Sequence, residues 1–174
     1  EIILGKGVKN ILLVTDSGLV KLGVPNGLTA AMDTAGLKYT IFSELQPNPT
    51  DLNIEAGLKA YKENYCEGII AFGGGSPMDC AKGIAARIAH PNKTIPQLQG
   101  LLKVHKKIVP FWAVPTTAGT GSETTVAAVI TEAATHHKAS INDPSILQRS
   151  FLSLFRRWLG QPRTERSFYE LSEV

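Results

Sequence analysis

Gly68-Ile69-Ile70-Ala71-Phe72-Gly73-Gly74-Gly75-Ser76-Pro77-Met78-Asp79 is the stretch that decides the fold class of this 174-residue chain. A short apolar run bounded by glycine reads as a strand buried on both faces. The glycines that follow permit positive φ and leave no Cβ in the way of an approaching ligand. Ser76 suits the N-cap of a helix, Pro77 its first position and Asp79 its third, a Ser-x-x-Asp capping arrangement. The helix then runs from Asp79 to Ala89 and stops before Pro91. A helix amino end reached directly from a glycine-rich strand end is an anion site, since unsatisfied N–H groups and the positive end of the dipole point at it. The same residues also describe a tight strand-to-helix turn with a good cap. They match neither Gly-x-Gly-x-x-Gly nor a P-loop, because no Gly-Lys-Ser/Thr follows.

A second strand-and-loop unit lies downstream. Pro110-Phe111-Trp112-Ala113-Val114 reads as a buried strand, and Pro115-Thr116-Thr117-Ala118-Gly119-Thr120-Gly121-Ser122-Glu123 as its loop. Hydroxyls at Thr116, Thr117, Thr120, Ser122, Thr124 and Thr125, set beside glycines, can hydrogen-bond phosphate or ribose oxygens. A polar surface loop has the same composition. Two such loops in one short chain point to a nucleotide.

Upstream, Ile11 to Thr15 is a further strand, ending at Asp16-Ser17, which can cap a helix. Asn26 to Ala35 reads as a helix stopped by Gly36, and Tyr39 to Ser43 as a strand. Pro47 to Asp51 makes a turn in which Thr50 or Asp51 can cap the next helix, where apolar residues recur at helical spacing from Leu52 to Tyr65. A polar connection from Asn92 to Lys107 holds one short helix near Leu98, and Val126 to Thr131 is a last strand candidate. Strands alternating with helices predict an α/β fold, a parallel sheet flanked by helices, with ligands outside the carboxyl ends of the strands. Asp16 at such an end can bind ribose hydroxyls and repel a 2′-phosphate, or serve only as a helix cap. Lys138 can neutralise a phosphate or stay solvated.

Composition narrows the function classes. The chain is 43% apolar and 19% charged with net charge +3, an ordinary globular balance that gives no ground for nucleic-acid binding. No apolar run approaches the roughly 18–20 residues that cross a bilayer, and no signal peptide is visible. Two cysteines make no disulfide framework, which favours a reducing compartment and a cytoplasmic location. His90, His105, His136 and His137 have no metal-ligand spacing, and no Gly-x-Ser-x-Gly nucleophile elbow occurs.

The tail differs in residue usage. Arginine stands at Arg87 and then at Arg149, Arg156, Arg157, Arg163 and Arg166, while no lysine follows Lys138. The expected division is a dinucleotide-binding α/β domain over residues 1–147, incomplete at its ends, and a divergent tail over 148–174, the product of a frame change or fusion, with a basic C-terminal helix as the alternative reading.

Taken together, Leu13-Val14-Thr15-Asp16, Pro47-Asn48-Pro49-Thr50, Gly73 through Asp79 and Pro115 through Thr125 resemble the iron-containing (group III) alcohol dehydrogenase family in order and spacing. Lactaldehyde reductases, butanol dehydrogenases and 1,3-propanediol dehydrogenases belong to it. Glycerol dehydrogenases and dehydroquinate synthases share the architecture, and the Thr-Thr-Ala-Gly-Thr-Gly-Ser segment leans toward the alcohol dehydrogenase branch. The resemblance implies a Rossmann-like NAD(P)-binding domain followed by a helical domain holding Fe²⁺ or Zn²⁺ through one Asp and three His. Asp16 would face the adenosine ribose and favour NAD over NADP. Asn48 would line the cleft, and Gly74, Gly75, Ser76 and Asp79 would hold the pyrophosphate region. Thr116, Thr117, Thr125 and Lys138 would lie along the nicotinamide and its ribose. The helical domain would follow Ile141-Asn142-Asp143-Pro144-Ser145, and its ligand set is missing here. The expectation is therefore a cofactor-binding part with little or no turnover of alcohol or aldehyde by itself, and a homodimer is a possible state of the intact enzyme. The rival expectations are a module that works with a separate helical chain and a functionless remnant.

Overall fold

The computed structural model describes residues 3–117 and 119–147; the tail expected to diverge lies outside them. The strands are β1 (Asn10–Val14), β2 (Lys38–Phe42), β3 (Gly68–Gly73), β4 (Gly100–Leu101), β5 (Phe111–Pro115), β6 (Ala127–Thr131) and β7 (Lys138–Asn142). The α-helices are α1 (Ser17–Lys21), α2 (Asn26–Thr34), α3 (Asp51–Glu63), α4 (Gly75–Ala89) and α5 (Ile95–Leu98).

Four strands make a parallel sheet in the order β2-β1-β3-β5. Each central strand is buried on both faces, which is why it reads as an unbroken apolar run. The pleat sorts those runs between two cores. Leu12, Val14, Ile69, Ala71, Phe111 and Ala113 face α3 and α4, where Ile54, Tyr61, Met78, Ala81, Ile84 and Ala85 meet them. Ile11, Leu13, Ile70, Phe72, Trp112 and Val114 face the other side, closed by Met32 and Leu28 of α2 and by Leu19 of α1. Edge strand β2 is half exposed, with Ile41 in solvent.

Helices α3 and α4 approach closely because each carries a glycine where the other projects an isoleucine. A Cβ on Gly57 would stand 2.4 Å from Ile84 Cδ1, and one on Gly83 2.4 Å from Ile54 Cδ1. The start of α3 is a capping box in which Thr50 Oγ1 accepts from the Asn53 N–H and Asn53 Oδ1 accepts from the Thr50 N–H. Of the two residues offered as caps, Thr50 takes the part, and Asp51 Oδ1 accepts instead from the Ala133 N–H at 2.9 Å.

The segment Val126–Thr131 forms a strand as expected, but outside the main sheet. It pairs antiparallel with β7, and β4 adds to β7 in parallel. Strand β7 went unread because only Ile141 of its five residues is buried; backbone pairing, not an apolar pattern, makes it a strand. The small sheet lies on α4 through Ala128 and Ile130. Buried Asp143 ties the polar connection to it, accepting from the N–H groups of Val104, His105 and Ser145. Burial by itself would raise its pKa; those donors outweigh it and hold the carboxyl below its ordinary value.

Candidate dinucleotide site

The chain leaves β1 for β2 on one side and crosses to β3 on the other, so the strand order reverses between β1 and β3. In an open α/β sheet, the crevice outside the carboxyl ends at such a reversal is where ligands lie. Asp16, Gly74 and Thr116 follow the ends of β1, β3 and β5 and share that edge. A separate open cleft of about 690 Å³, lined by Asn10, Asp33, Lys38, Tyr39 and Asn64, sits at the opposite, amino end of β1 and β2. It gathers none of these loops.

The turn out of β3 corrects one expectation. Helix α4 starts at Gly75 with Gly74 as N-cap, in extended backbone (φ −88°, ψ −155°) and without a side-chain cap hydrogen bond. Ser76 is thus the second helical residue, and the Ser76–Asp79 capping box does not form. Gly73, at φ +140°, makes the corner two residues earlier than a Ser76 cap requires; a Cβ there would also meet Pro77 Cγ at 2.7 Å. The consequence favours a ligand, because no serine side chain caps the amino end of this fifteen-residue helix.

The two glycine-rich loops meet at that end. A Cβ on Gly74 would stand 2.9 Å from Thr117 Oγ1, and one on Gly75 3.3 Å from Ser122 Oγ. The Thr116 N–H donates to Gly73 O at 3.0 Å, which continues the β3–β5 pairing into the loops. A third segment joins them. Asn48, at φ +60°, donates its N–H to Ser76 Oγ at 3.3 Å, and Lys138 Nζ donates to Asn48 Oδ1 at 3.1 Å. Asn48 and Lys138 are both exposed.

Asp16 is the N-cap of α1, its Oδ1 accepting from the Leu19 N–H at 2.9 Å. Beside it the buried Thr15 hydroxyl has no hydrogen-bond partner among the described residues. Thr125 is exposed, but its Oγ1 lies 3.0 Å from Lys82 Nζ and 3.3 and 3.2 Å from the carbonyls of Ser122 and Ala127. Asp79 reaches the backbone of Val129 on β6. Burial pushes its pKa up to about 6, against the lowering effects of that hydrogen bond and of Lys82.

Lys82 is the residue that sequence reading missed. It is fully buried, and its ammonium donates to the carbonyls of Ser122, Thr125 and Ala127 at 2.6, 2.7 and 2.9 Å. A lysine inside Cys80-Ala81-Lys82-Gly83-Ile84-Ala85-Ala86, three residues after Asp79, was the available signal. Such an apolar helix face leaves a charge no solvent.

The cradle fits a dinucleotide's pyrophosphate. Glycines keep the backbone clear, the helix end supplies N–H donors, and hydroxyls line the facing loop. For a metal the fit fails: among the described residues no three His, Cys, Asp or Glu side chains gather. No described helix is long and apolar enough to cross a membrane.

Comparison with known proteins agrees with this geometry. The family described as iron-containing alcohol dehydrogenase matches residues 1–152. Lactaldehyde reductase of Escherichia coli K12 is 39% identical over 140 residues, covering 80% of this chain and 37% of the relative. The crystal structure of a 1,3-propanediol oxidoreductase superposes with TM-score 0.83 at 36% identity, covering 87% of this chain and 40% of that one. Sulfoacetaldehyde reductase from Bifidobacterium kashiwanohense, solved in complex with NAD⁺, superposes with TM-score 0.75 at 32% identity, covering 86% and 39%. The chain spans about a third to two-fifths of the length of its curated relatives. A parallel β2-β1-β3-β5 sheet, a glycine cradle at its reversal point and a family match over most of its length agree, and this chain belongs to the iron-containing alcohol dehydrogenase family.

Proposed function

We propose that this chain is the dinucleotide-binding part of an oxidoreductase that interconverts a small alcohol or diol with its aldehyde, and that it takes NAD in preference to NADP. The observation that carries the reading is the meeting of two loops at the start of α4, which has no side-chain cap and where a Cβ on Gly74 would crowd Thr117 and one on Gly75 would press on Ser122. The pyrophosphate lies there, against the N–H groups at the helix end and Ser76. Asp16 receives the adenosine ribose, and its charge disfavours a 2′-phosphate. Asn48 and Lys138, already joined by a hydrogen bond, form the wall of the cleft toward Ser76. Thr116 and Thr117 lie along the nicotinamide side. Bound NAD supplies the hydride acceptor; this chain's residues bind and orient it.

Among the described residues no metal-ligand set gathers, and we propose little or no turnover by this chain alone. We place the end of the dinucleotide-binding domain near residue 147; the family match runs to residue 152. The same missing ligand set gives the second reading, a cofactor module completed by a helical chain that carries the metal. A thermal-shift titration with NAD and NADP, each with and without Fe²⁺ or Zn²⁺, tests the proposal. NAD at a hundred times its Kd stabilises by about 2.7 kcal/mol. A shift with NAD, smaller with NADP and indifferent to metal, is the expected result. No shift with either dinucleotide overturns it.

A further inference from the structure

We propose that the segment after α5 is a docking surface for an anionic lipid membrane, with Leu101 and Leu102 entering the acyl boundary and the neighbouring lysines meeting the headgroups. Leu101 is 74% exposed and Leu102 50%, side by side at the end of β4. Lys103, Lys106 and Lys107 follow them, all exposed, and half-buried Lys93 joins the group by donating from Nζ to the Lys103 carbonyl. No Asp or Glu occurs between Asp79 and Glu123, so nothing in this stretch neutralises those charges. The acid that packs here from the end of β7, Asp143, is buried and turned toward the N–H groups of Val104 and His105.

A single exposed leucine is ordinary. This pair is held outward by a backbone that is costly to build. Gly100, Leu102 and His105 have left-handed φ of +97°, +53° and +45°, a region that suits glycine and that bulky side chains rarely adopt. The conformation persists because its neighbours over-determine it. The Leu102 N–H donates to Asn142 O at 2.8 Å, those of Val104 and His105 to Asp143 Oδ2 at 2.9 and 3.0 Å, and His90 Nε2 bonds the Val104 carbonyl. The Val104 side chain between them is fully buried. Apolar area and attraction to anionic headgroups are the two contributions that surface attachment sums. Residues 99–107 hold no Trp, Tyr or Arg, the anchors of protein interfaces, whereas Leu is under-represented among such anchors and Lys is depleted at those interfaces. Lipid accepts bare aliphatic side chains without a shaped pocket, so the composition favours a membrane over an acidic protein. The cradle stays clear, since Lys138 stands at the opposite end of β7 from the Asn142 that holds Leu102.

The test is co-sedimentation of the whole chain with vesicles of phosphatidylcholine, or of phosphatidylcholine mixed with phosphatidylserine. The expected result is partitioning at least tenfold stronger onto the anionic vesicles, weakening as salt is raised. Lys103→Gln/Lys106→Gln/Lys107→Gln removes the preference for anionic lipid. Leu101→Thr/Leu102→Asn lowers partitioning at least tenfold with the circular dichroism unchanged, because threonine suits a strand and asparagine tolerates a left-handed φ. Leu101→Cys carrying an environment-sensitive dye reads insertion separately, since Cys66 and Cys80 are buried and escape labelling. Its emission shifts to the blue on anionic vesicles. Equal binding to both vesicle types, undiminished binding by either multiple variant, or a dye that stays in water on bound protein overturns the proposal. Stronger retention on polyglutamate than on the anionic vesicles also overturns it, and assigns the patch to an acidic protein.

Discussion

Replacing Gly83 by alanine sets two opposed effects against each other, and the structure says which wins. Gly83 lies inside α4, where alanine is worth about 1 kcal/mol more than glycine in helix propensity. Its new Cβ would stand 2.4 Å from Ile54 Cδ1, 3.0 Å from Ile54 Cγ1 and 3.3 Å from Ile130 Cδ1. Carbon contacts are comfortable at about 3.5–4.0 Å, so the worst overlap exceeds about 1 Å. A flexible side chain with free space would swing away. Ile54 and Ile130 are fully buried, so the helices must part or a rotamer must strain. Overpacking of this kind costs about 1–3 kcal/mol, and three contacts put it at the upper end. The net expectation is a loss of about 2 kcal/mol in equilibrium urea unfolding followed by circular dichroism. Ile54→Val deletes the offending Cδ1 and costs about 0.5–1.5 kcal/mol alone. In the double variant the overlap is relieved, so the combined loss falls short of the sum by about 1–2 kcal/mol. Gly83→Ala as stable as the parent, or strict additivity with Ile54→Val, refutes the reasoning.

Three further outcomes follow from other residues. Asp16→Ser keeps an oxygen at the N-cap of α1 and removes the charge, so stability changes by less than about 0.5 kcal/mol while the NAD/NADP ratio of affinities falls about tenfold; an unchanged ratio refutes the ribose role. The Asp79 pKa, raised from 3.8 to about 6, means that the folded state holds its proton longer than the unfolded one, so this group's stabilisation is full at low pH and is lost as pH rises through about 6. Asp79→Asn therefore gains up to about 3 kcal/mol at pH 7 and abolishes that slope between pH 4 and 6; a variant less stable at pH 7 contradicts the sign. Cys66 and Cys80 are buried, with thiols pushed by burial up to about 11 and about 12, so disulfide-exchange reagents label both only as fast as the chain opens. Prompt labelling of the native chain would contradict the packing.

Much of the α/β layer was legible because its strands are buried on both faces. Such strands show as apolar runs whatever surrounds them, and β1, β3 and β5 were readable for that reason, while the half-exposed edge strand β2 was readable from its β-prone Tyr39-Thr40-Ile41-Phe42 run. The glycine loops were readable too, since few residue types tolerate those backbones. Legibility failed where partners rather than pattern set the structure. Lys138–Asn142 has one buried residue and becomes a strand only because β6 and β4 pair with it. Ser76 is a good N-cap by type, but the corner at Gly73 starts the helix before it.

By itself, the order of residues determined the class of the fold, the family and the edge of the sheet where a dinucleotide would lie. Apolar periodicity and glycine placement are local properties of the chain, and they carry that much. Only the tertiary structure decided that Asn48, Ser76 and Lys138 share one hydrogen-bonded cluster, and that Thr117 and Ser122 close on Gly74 and Gly75. Only it showed that a lysine in the middle of an apolar helix holds the second loop in place. Those contacts join residues dozens of positions apart. Their energies come from burial and from donors meeting acceptors, and neither exists until the sheet has brought the loops together.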